Sequence, residues 1–325
     1  MLNLKNHIRT MLAANEDKKV LTILVIGATH ERYEQQLCLS GHKFYSYKDG
    51  GKEWNTHYGP IPPNYFVLDS IPTYLRPDLV LTHTSGARLE LAHEIAHHYG
   101  IKVIRHTHTL PQSPQEMRAF HDQRADLNTF ISQYSCNAWG EKYGFVINHG
   151  LDTKFWCKIS ELDRDSSILS VVNYIETRDW ACGWTLYNKI KSIYTERQYN
   201  LVGDNPGLSV PAPSLNALRS KYNQCGVFLN TSQFSPIPMS LLEALACGAT
   251  CVSSNTCMIP EIIIHGHNGL LANTPEEFVS CLKSLQDREF AQELGNNARQ
   301  TILDSFNIEQ FIENWNIAFK KVLVR

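Results

Sequence analysis

The chain has no long hydrophobic run. Nothing in its 325 residues approaches the roughly 20 consecutive apolar residues that a membrane-spanning helix requires. It also lacks an excess of charge of either sign. Thirty Lys and Arg stand against 32 Asp and Glu, for a net charge of −2. A general polyanion binder is far more basic, so bulk charge does not point to nucleic acid, although a local patch stays open. No CxxC pair occurs, and the cysteines number nine, which argues against a disulfide framework. Cys136, Cys182, Cys225, Cys247 and Cys251 sit in apolar or turn contexts and read as small buried hydrophobes. The opening residues, MLNLKNHIRTMLAANEDKK, lack the apolar centre and cleavage site of a secretory signal. The expectation is a soluble, cytoplasmic protein.

What is present is ample core material in an alternating rhythm. Apolar residues make up 43% and charged residues 19%, enough for two domains with a core each. Leu4, Ile8, Met11 and Leu12 recur at helical spacing, predicting a short amphipathic helix over 2–14 that docks on the protein itself or on a partner. Then KVLTILVIGA, HKFYSY, RPDLVLTHT and IKVIRHTHT read as buried strands, separated by helical stretches. After LDTKFWCKISELDRDSS the rhythm restarts with SILSVVNYI, QYNLVGD, CGVFLNTS and ATCVSS as strands. Strands alternating with helices predict α/β architecture, two doubly wound parallel sheets joined near residues 152–166. A final stretch, IEQFIENWNIAFKKVL, is helical with one apolar face. Two such domains place a ligand site in the cleft between them, outside the carboxyl ends of the strands.

The most informative segment runs from Gly226 to Leu271. A strand leads through SQFSPIP into a helix that begins near Pro238 to Ser240 and carries Glu243 one turn in. The unpaired amides and partial positive charge of a helix start suit a diphosphate. A carboxylate one turn on is placed to accept hydrogen bonds from the ribose hydroxyls of the same nucleotide.

At these residues the chain resembles the family-4 retaining glycosyltransferases of the GT-B fold. LLEALACG is similar to the second half of their E-x7-E motif, with Glu243 in place of the second glutamate, and IPEIIIHGHNGLL resembles the segment that follows. LCLSGHKFYSY and the stretch FISQYSCNAWGEKYGFVINHGLDTKFW resemble segments of the family's first domain and linker. The resemblance spans about residues 19 to 320. It implies two Rossmann-like domains, 1–155 on the acceptor side and 156–305 on the donor side, facing an interdomain cleft, with a C-terminal helix over 306–325 crossing back to the first domain. It further implies sugar transfer from a nucleotide-sugar, by default UDP-linked, to an acceptor hydroxyl, with retained configuration, without a metal and with no cofactor beyond this co-substrate. The acceptor is open: a glycan, a lipid-linked sugar, a small metabolite or a hydroxylated DNA base.

The departures from the family pattern select the candidate residues. Ser235 stands where the family has its first glutamate, and Pro236, Ile237 and Pro238 replace its Gly-Phe-Gly. Amides of Ile237, Pro238's neighbours Met239 and Ser240, and the Ser235 hydroxyl are the expected substitutes. Gly183 fits the glycine of the family's phosphate loop, but Cys182 replaces its lysine, which leaves Arg178 as the expected diphosphate partner. Gly203 and Asp204, the turn closing QYNLVGD, join the donor-binding set. The GATHERY loop after the first strand lacks the family's paired glycines. The family often uses a first-domain histidine near the donor sugar; here His108 is the candidate, with His106 second. His149 in NHGLD either lines the cleft or caps its turn. Twelve of the 14 histidines precede residue 156. Trp54, Tyr58 and Tyr65 form either an acceptor platform or loop packing.

Two other functions compete. One is a nucleotide-sugar-binding protein without catalysis, suggested by the missing glutamate. The other is a zinc metalloprotease, because LAHEIAHHYG contains H-E-x-x-H at His93, Glu94 and His97. Against zinc, Val103 occupies the extended motif's third ligand position, and the helix sits inside a β–α–β pattern. Its expected apolar face is Leu91, Ala92, Ile95, Ala96 and Tyr99, with His93 and His97 turned away.

Overall fold

A computed structural model describes residues 19–48, 53–83, 85–142 and 144–324. The helix read at residues 2–14 lies outside the described residues. The first sheet holds seven parallel strands: β1 (Thr22–Ile26), β2 (Lys43–Tyr47), β3 (Tyr65–Leu68), β4 (Leu79–Thr82), β5 (Lys102–Thr107), β6 (Leu127–Phe130) and β7 (Phe145–Val146). Their spatial order is 3-2-1-4-5-6-7. The second sheet holds β8 (Ile168–Val171), β9 (Tyr199–Val202), β10 (Val227–Asn230), β11 (Cys251–Ser254) and β12 (Leu270–Ala272), in order 12-11-10-8-9. Both orders are doubly wound. Each has a switch point, between β1 and β4 and between β8 and β10, where loops diverge and leave a crevice.

The helices that frame the site are α1 (Glu31–Cys38), α2 (Ala87–Tyr99), α3 (Pro114–Asp122), α4 (Gln133–Ala138), α5 (Asp179–Cys182), α6 (Trp184–Ile193), α7 (Leu215–Gln224) and α8 (Met239–Ala246). They are followed by α9 (Ile259–Ile262), α10 (Pro275–Ser284), α11 (Arg288–Ser305) and α12 (Ile308–Leu323). Several begin on a side-chain cap: Ser214, Thr274 and Asn307 each accept a first-turn amide. α8 begins at Pro238 with no side-chain cap.

The chain crosses between the domains twice, side by side. The Leu151 amide donates to the Phe306 carbonyl at 2.7 Å, and Leu151 bridges Asn307 in parallel. From there α12 returns to the first sheet. Phe311, Trp315, Phe319 and Val322 repeat at helical spacing and are at most 2% exposed, packed with Ile23, Val25, Leu81 and Ile104 of that sheet. Each such burial contributes about 2 kcal/mol.

The H-E-x-x-H helix is α2, docked in a β–α–β unit between β4 and β5. It ends at Gly100, whose φ of +66° is the left-handed cap geometry that favours glycine, and Ile101 donates back to Ala96 at 2.9 Å. Its buried residues are Leu89, Ala92 and Ala96. Here the predicted orientation needs correction: His97 is exposed, but His93 is half-buried with a shielded Nε2. Among the described residues no three His, Cys, Asp or Glu side chains gather as a metal-holding group.

Candidate functional site

The interdomain cavity, about 350 Å³, lies at the carboxyl ends of both sheets. The first domain supplies Thr29, His30, Arg32 and Tyr33 from the β1–α1 loop and helix, with Tyr58, His108 and His149. The second supplies Pro236, Ile237, Met239, Ser240 and Glu243 from the start of α8, with Val171 to Asn173 after β8. A second cavity of about 200 Å³ opens at the β8/β10 switch point. It contains Arg178, Cys182, Ser235 and Pro238, and shares Asn173 and Ser240 with the first. The uncapped start of α8 lies between the two.

Glu243 is fully buried. Its Oε1 is ion-paired with the Arg32 guanidinium from the other domain, and its Oε2 accepts the Tyr222 hydroxyl at 3.0 Å. Burial pushes the carboxyl's pKa upward, while Arg32 and Tyr222 pull it back. Arg32 also lies over the Trp156 ring, 5.3 Å from its centre. Arg32 and Tyr222 are 211 and 21 residues from Glu243 in sequence, and sequence reading missed both. The available signal was position: Arg32 follows the first strand, where a doubly wound sheet presents its loops to the ligand.

Arg178 is exposed at the start of α5 and faces Ser235 and Ser240 across the smaller cavity. Gly183 has φ +74°, and a Cβ there would meet the Thr231 carbonyl oxygen at 2.0 Å. That contact packs α5 against the loop after β10, which forms the cavity wall.

Gly203 and Asp204 line neither of these cavities. They brace it from behind: the Asp204 amide donates to Asn173 Oδ1 at 2.9 Å, and Asp204 Oδ2 accepts the Tyr174 hydroxyl at 2.6 Å. His106 is likewise set back. It is fully buried, with Nε2 on the Tyr33 hydroxyl at 2.8 Å and Nδ1 on Thr129 Oγ1 at 2.7 Å, so neither nitrogen faces the cleft. Trp315 Nε1 donates to the same Tyr33 oxygen at 3.2 Å, tying α12 to the cleft floor. His108 and His149 do face the cavity, with rings stacked 6.0 Å apart. Burial lowers both pKa values, that of His149 to about 4, so both rings are neutral.

The aromatic trio divides. Tyr58 lines the interdomain cavity, its ring 4.5 Å from that of His30. Trp54 and Tyr65 line a third cavity of about 430 Å³ at the ends of β1, β2 and β3, with Glu31, Glu34 and Lys48. The Trp54 indole N–H is used internally, on the Gly59 carbonyl at 3.0 Å. This cavity shares Thr29 and His30 with the interdomain one.

Comparison with known proteins bears on this arrangement. HepE of Anabaena, solved in complex with UDP and glucose, superposes with a TM-score of 0.74 at 15% identity, over 93% of this chain and 100% of that one. Sucrose-phosphate synthase of Thermosynechococcus elongatus superposes with a TM-score of 0.72 at 14% identity, over 94% and 100%. The fold is GT-B. Residues 212–301, α8 and Glu243 among them, match the family model for Glycosyl transferases group 1. N-acetyl-alpha-D-glucosaminyl L-malate synthase of Bacillus anthracis is 29% identical over 100 residues, 30% of this chain and 26% of the relative. Alpha-maltose-1-phosphate synthase of Mycolicibacterium smegmatis is 28% identical over 114 residues, 32% and 30%. The match thus spans less than a third of either curated relative. No described helix is long and apolar enough to cross a membrane.

Proposed function

We propose that the protein is a retaining glycosyltransferase of family-4 type that moves a sugar from a UDP-linked donor to an acceptor hydroxyl without a metal. One observation carries this reading: Glu243 and the uncapped start of α8 face His108 and His149 across one interdomain cavity. The ribose hydroxyls donate to Glu243, taking the place of Arg32 on Oε1. The diphosphate lies along the amides of Met239 and Ser240, with Arg178 and the released Arg32 neutralising it. The bond from the sugar's anomeric carbon to the phosphate oxygen breaks with its electron pair going to the diphosphate. The acceptor oxygen bonds to the anomeric carbon from the same face, and its proton passes to the departing phosphate. Fixed dipoles and cations stabilise the developing charges. The 430 Å³ cavity, joined to this one at Thr29 and His30, holds the acceptor.

A thermal-shift and calorimetric screen of nucleotide-sugars tests the reading, followed by NMR of the product's anomeric configuration in the presence of EDTA. Binding and turnover by the wild type, lost in Glu243→Ala, are expected. Binding without turnover towards water or a panel of hydroxyl acceptors would support the non-catalytic alternative, and no binding of any nucleotide-sugar would overturn both.

A further inference from the structure

A line of buried polar side chains runs between the first-domain cavity and the interdomain one. Glu34 on α1 lines the 430 Å³ cavity, and His108 after β5 lines the interdomain one. His83, at the end of β4, stands between them. Its Nε2 is 3.5 Å from Glu34 Oε1, and its Nδ1 is 3.0 Å from His108 Nε2. The side chains of Glu34 and His83 are 1% and 2% exposed, so water does not share these contacts. Glu34 Oε1 also accepts the Thr29 amide at 2.9 Å, which fixes the carboxyl against the loop common to both cavities. Among the described residues His83 Nε2 makes no hydrogen bond; the Glu34 carboxylate, at ion-pair distance, is the charge beside it, and that charge favours the ring's proton on Nε2.

Neutral imidazole has one N–H and one bare nitrogen, and a partner on one side dictates the other. We propose that Glu34 and His83 are positioning residues for His108. The carboxylate's nearby charge favours the His83 proton on Nε2; the bare Nδ1 of His83 then takes the Nε2–H of His108. His108 is left with a bare Nδ1, a hydrogen-bond acceptor available to the cleft. In the transferase reading, on which only this last role rests, that nitrogen receives a sugar hydroxyl. A neutral acceptor there leaves the cationic work to Arg178 and Arg32.

The device is sensitive to pH at one place. Glu34 faces Glu31 and Cys38 of its own helix, Tyr65 from β3 and His83 from β4, with Lys48 from β2 and Arg88 from α2 lining the same cavity. Burial lifts its carboxyl to about 7. Burial also lowers His83 to about 3 and His108 well below the usual range, so neither ring becomes cationic near neutrality. What changes as pH falls through about 7 is therefore the anchor that selects the N–H positions.

Nitrogen-15 NMR of the full chain labelled at histidine reads those positions directly, with His83 and His108 assigned through His83→Gln and His108→Gln. At pH 8.5 the expected state of wild-type His108 is a single tautomer with N–H on Nε2. A transition to mixed tautomers is expected with a midpoint near pH 7. Glu34→Gln removes that transition, and so does His83→Gln, which carries the decision if the first variant does not fold. A wild-type His108 with N–H on Nδ1 at pH 8.5, or an unchanged transition in either folded variant, would overturn the proposal. With UDP-glucose as probe, the expected kinetic counterpart is an acid limb near pH 7 in kcat that Glu34→Gln abolishes with KM unchanged. The NMR result needs no nucleotide-sugar. Failure of the wild type to bind or turn over UDP-sugars would therefore sink the transferase reading while leaving the tautomer result standing or falling by itself.

Discussion

Arg32 of the first domain is bonded to Glu243 of the second, so the carboxylate of the proposed donor site is already engaged across the cleft. A fully buried carboxylate with its cation removed is strongly disfavoured. Arg32→Ala is expected to destabilise the protein by on the order of 3 kcal/mol, and Glu243→Ala by a similar amount. The double variant should cost less than the sum, because the second change removes the charge stranded by the first. Denaturant unfolding of the four proteins measures this coupling; strict additivity would show that the pair is incidental.

Arg178 faces the uncapped start of α8 from an exposed position. A charge-assisted hydrogen bond contributes about 1.5–3 kcal/mol. Arg178→Ala should therefore weaken UDP binding by roughly 10- to 100-fold and leave uridine binding unchanged. Calorimetry with both ligands makes the comparison, and equal losses for the two would remove Arg178 from the diphosphate.

Glu34 gives a stability prediction with a definite sign. Its folded-state pKa, about 7, is raised above the unfolded value by burial. The native state then binds the proton more tightly, so stability is full below the unfolded pKa and falls as pH rises through about 7. Glu34→Gln carries no such proton. It should be more stable than wild type at pH 8, by at most roughly 3 kcal/mol, and the gain should vanish by about pH 4. Thermal melts across that window test it; a gain that grows toward acid would contradict the burial argument.

Gly183→Ala sets a methyl group against the Thr231 carbonyl oxygen at a φ of +74°. Left-handed backbone strain alone costs about 1–3 kcal/mol, and the clash adds to it. The melting temperature should fall, and UDP affinity with it, because the same contact shapes the wall that holds Arg178 and Ser235.

His97 is exposed on α2, away from both cavities of the proposed reaction. His97→Ala should leave nucleotide-sugar turnover unchanged, and elemental analysis of the wild type should find no stoichiometric zinc. One zinc per chain, lost in the variant, would revive the protease reading.

The sheets were legible because parallel strands buried on both faces are continuous apolar runs, as in TILVI and LVLT. β3 and β12 were not: β3, four residues at a sheet edge preceded by Pro60, Pro62 and Pro63, and β12, three residues at the edge of the other sheet, read as loop. Within the site, the helix start at Pro238 and Glu243 were visible because they lie a few residues apart in one local pattern. Tyr33, His83 and Arg32 were not, because each acquires its partner only when distant strands come together. His106 shows the opposite limit. Residues 106 and 108 both lie near the end of one strand, and periodicity alone does not say that Tyr33 and Thr129 would consume both nitrogens of the first.

The paired crossings at Leu151 and Asn307 have a mechanical consequence. One tether permits a swivel in any direction. Two tethers bonded edge to edge resist twist and sliding, and leave bending about a single line close to that bridge. Opening of the cleft then resembles a door on its jamb. Contacts far from that line separate widely for a small angle, and those beside it barely part. In that picture the Arg32–Glu243 bond, which joins the two domains across the cleft, is the latch.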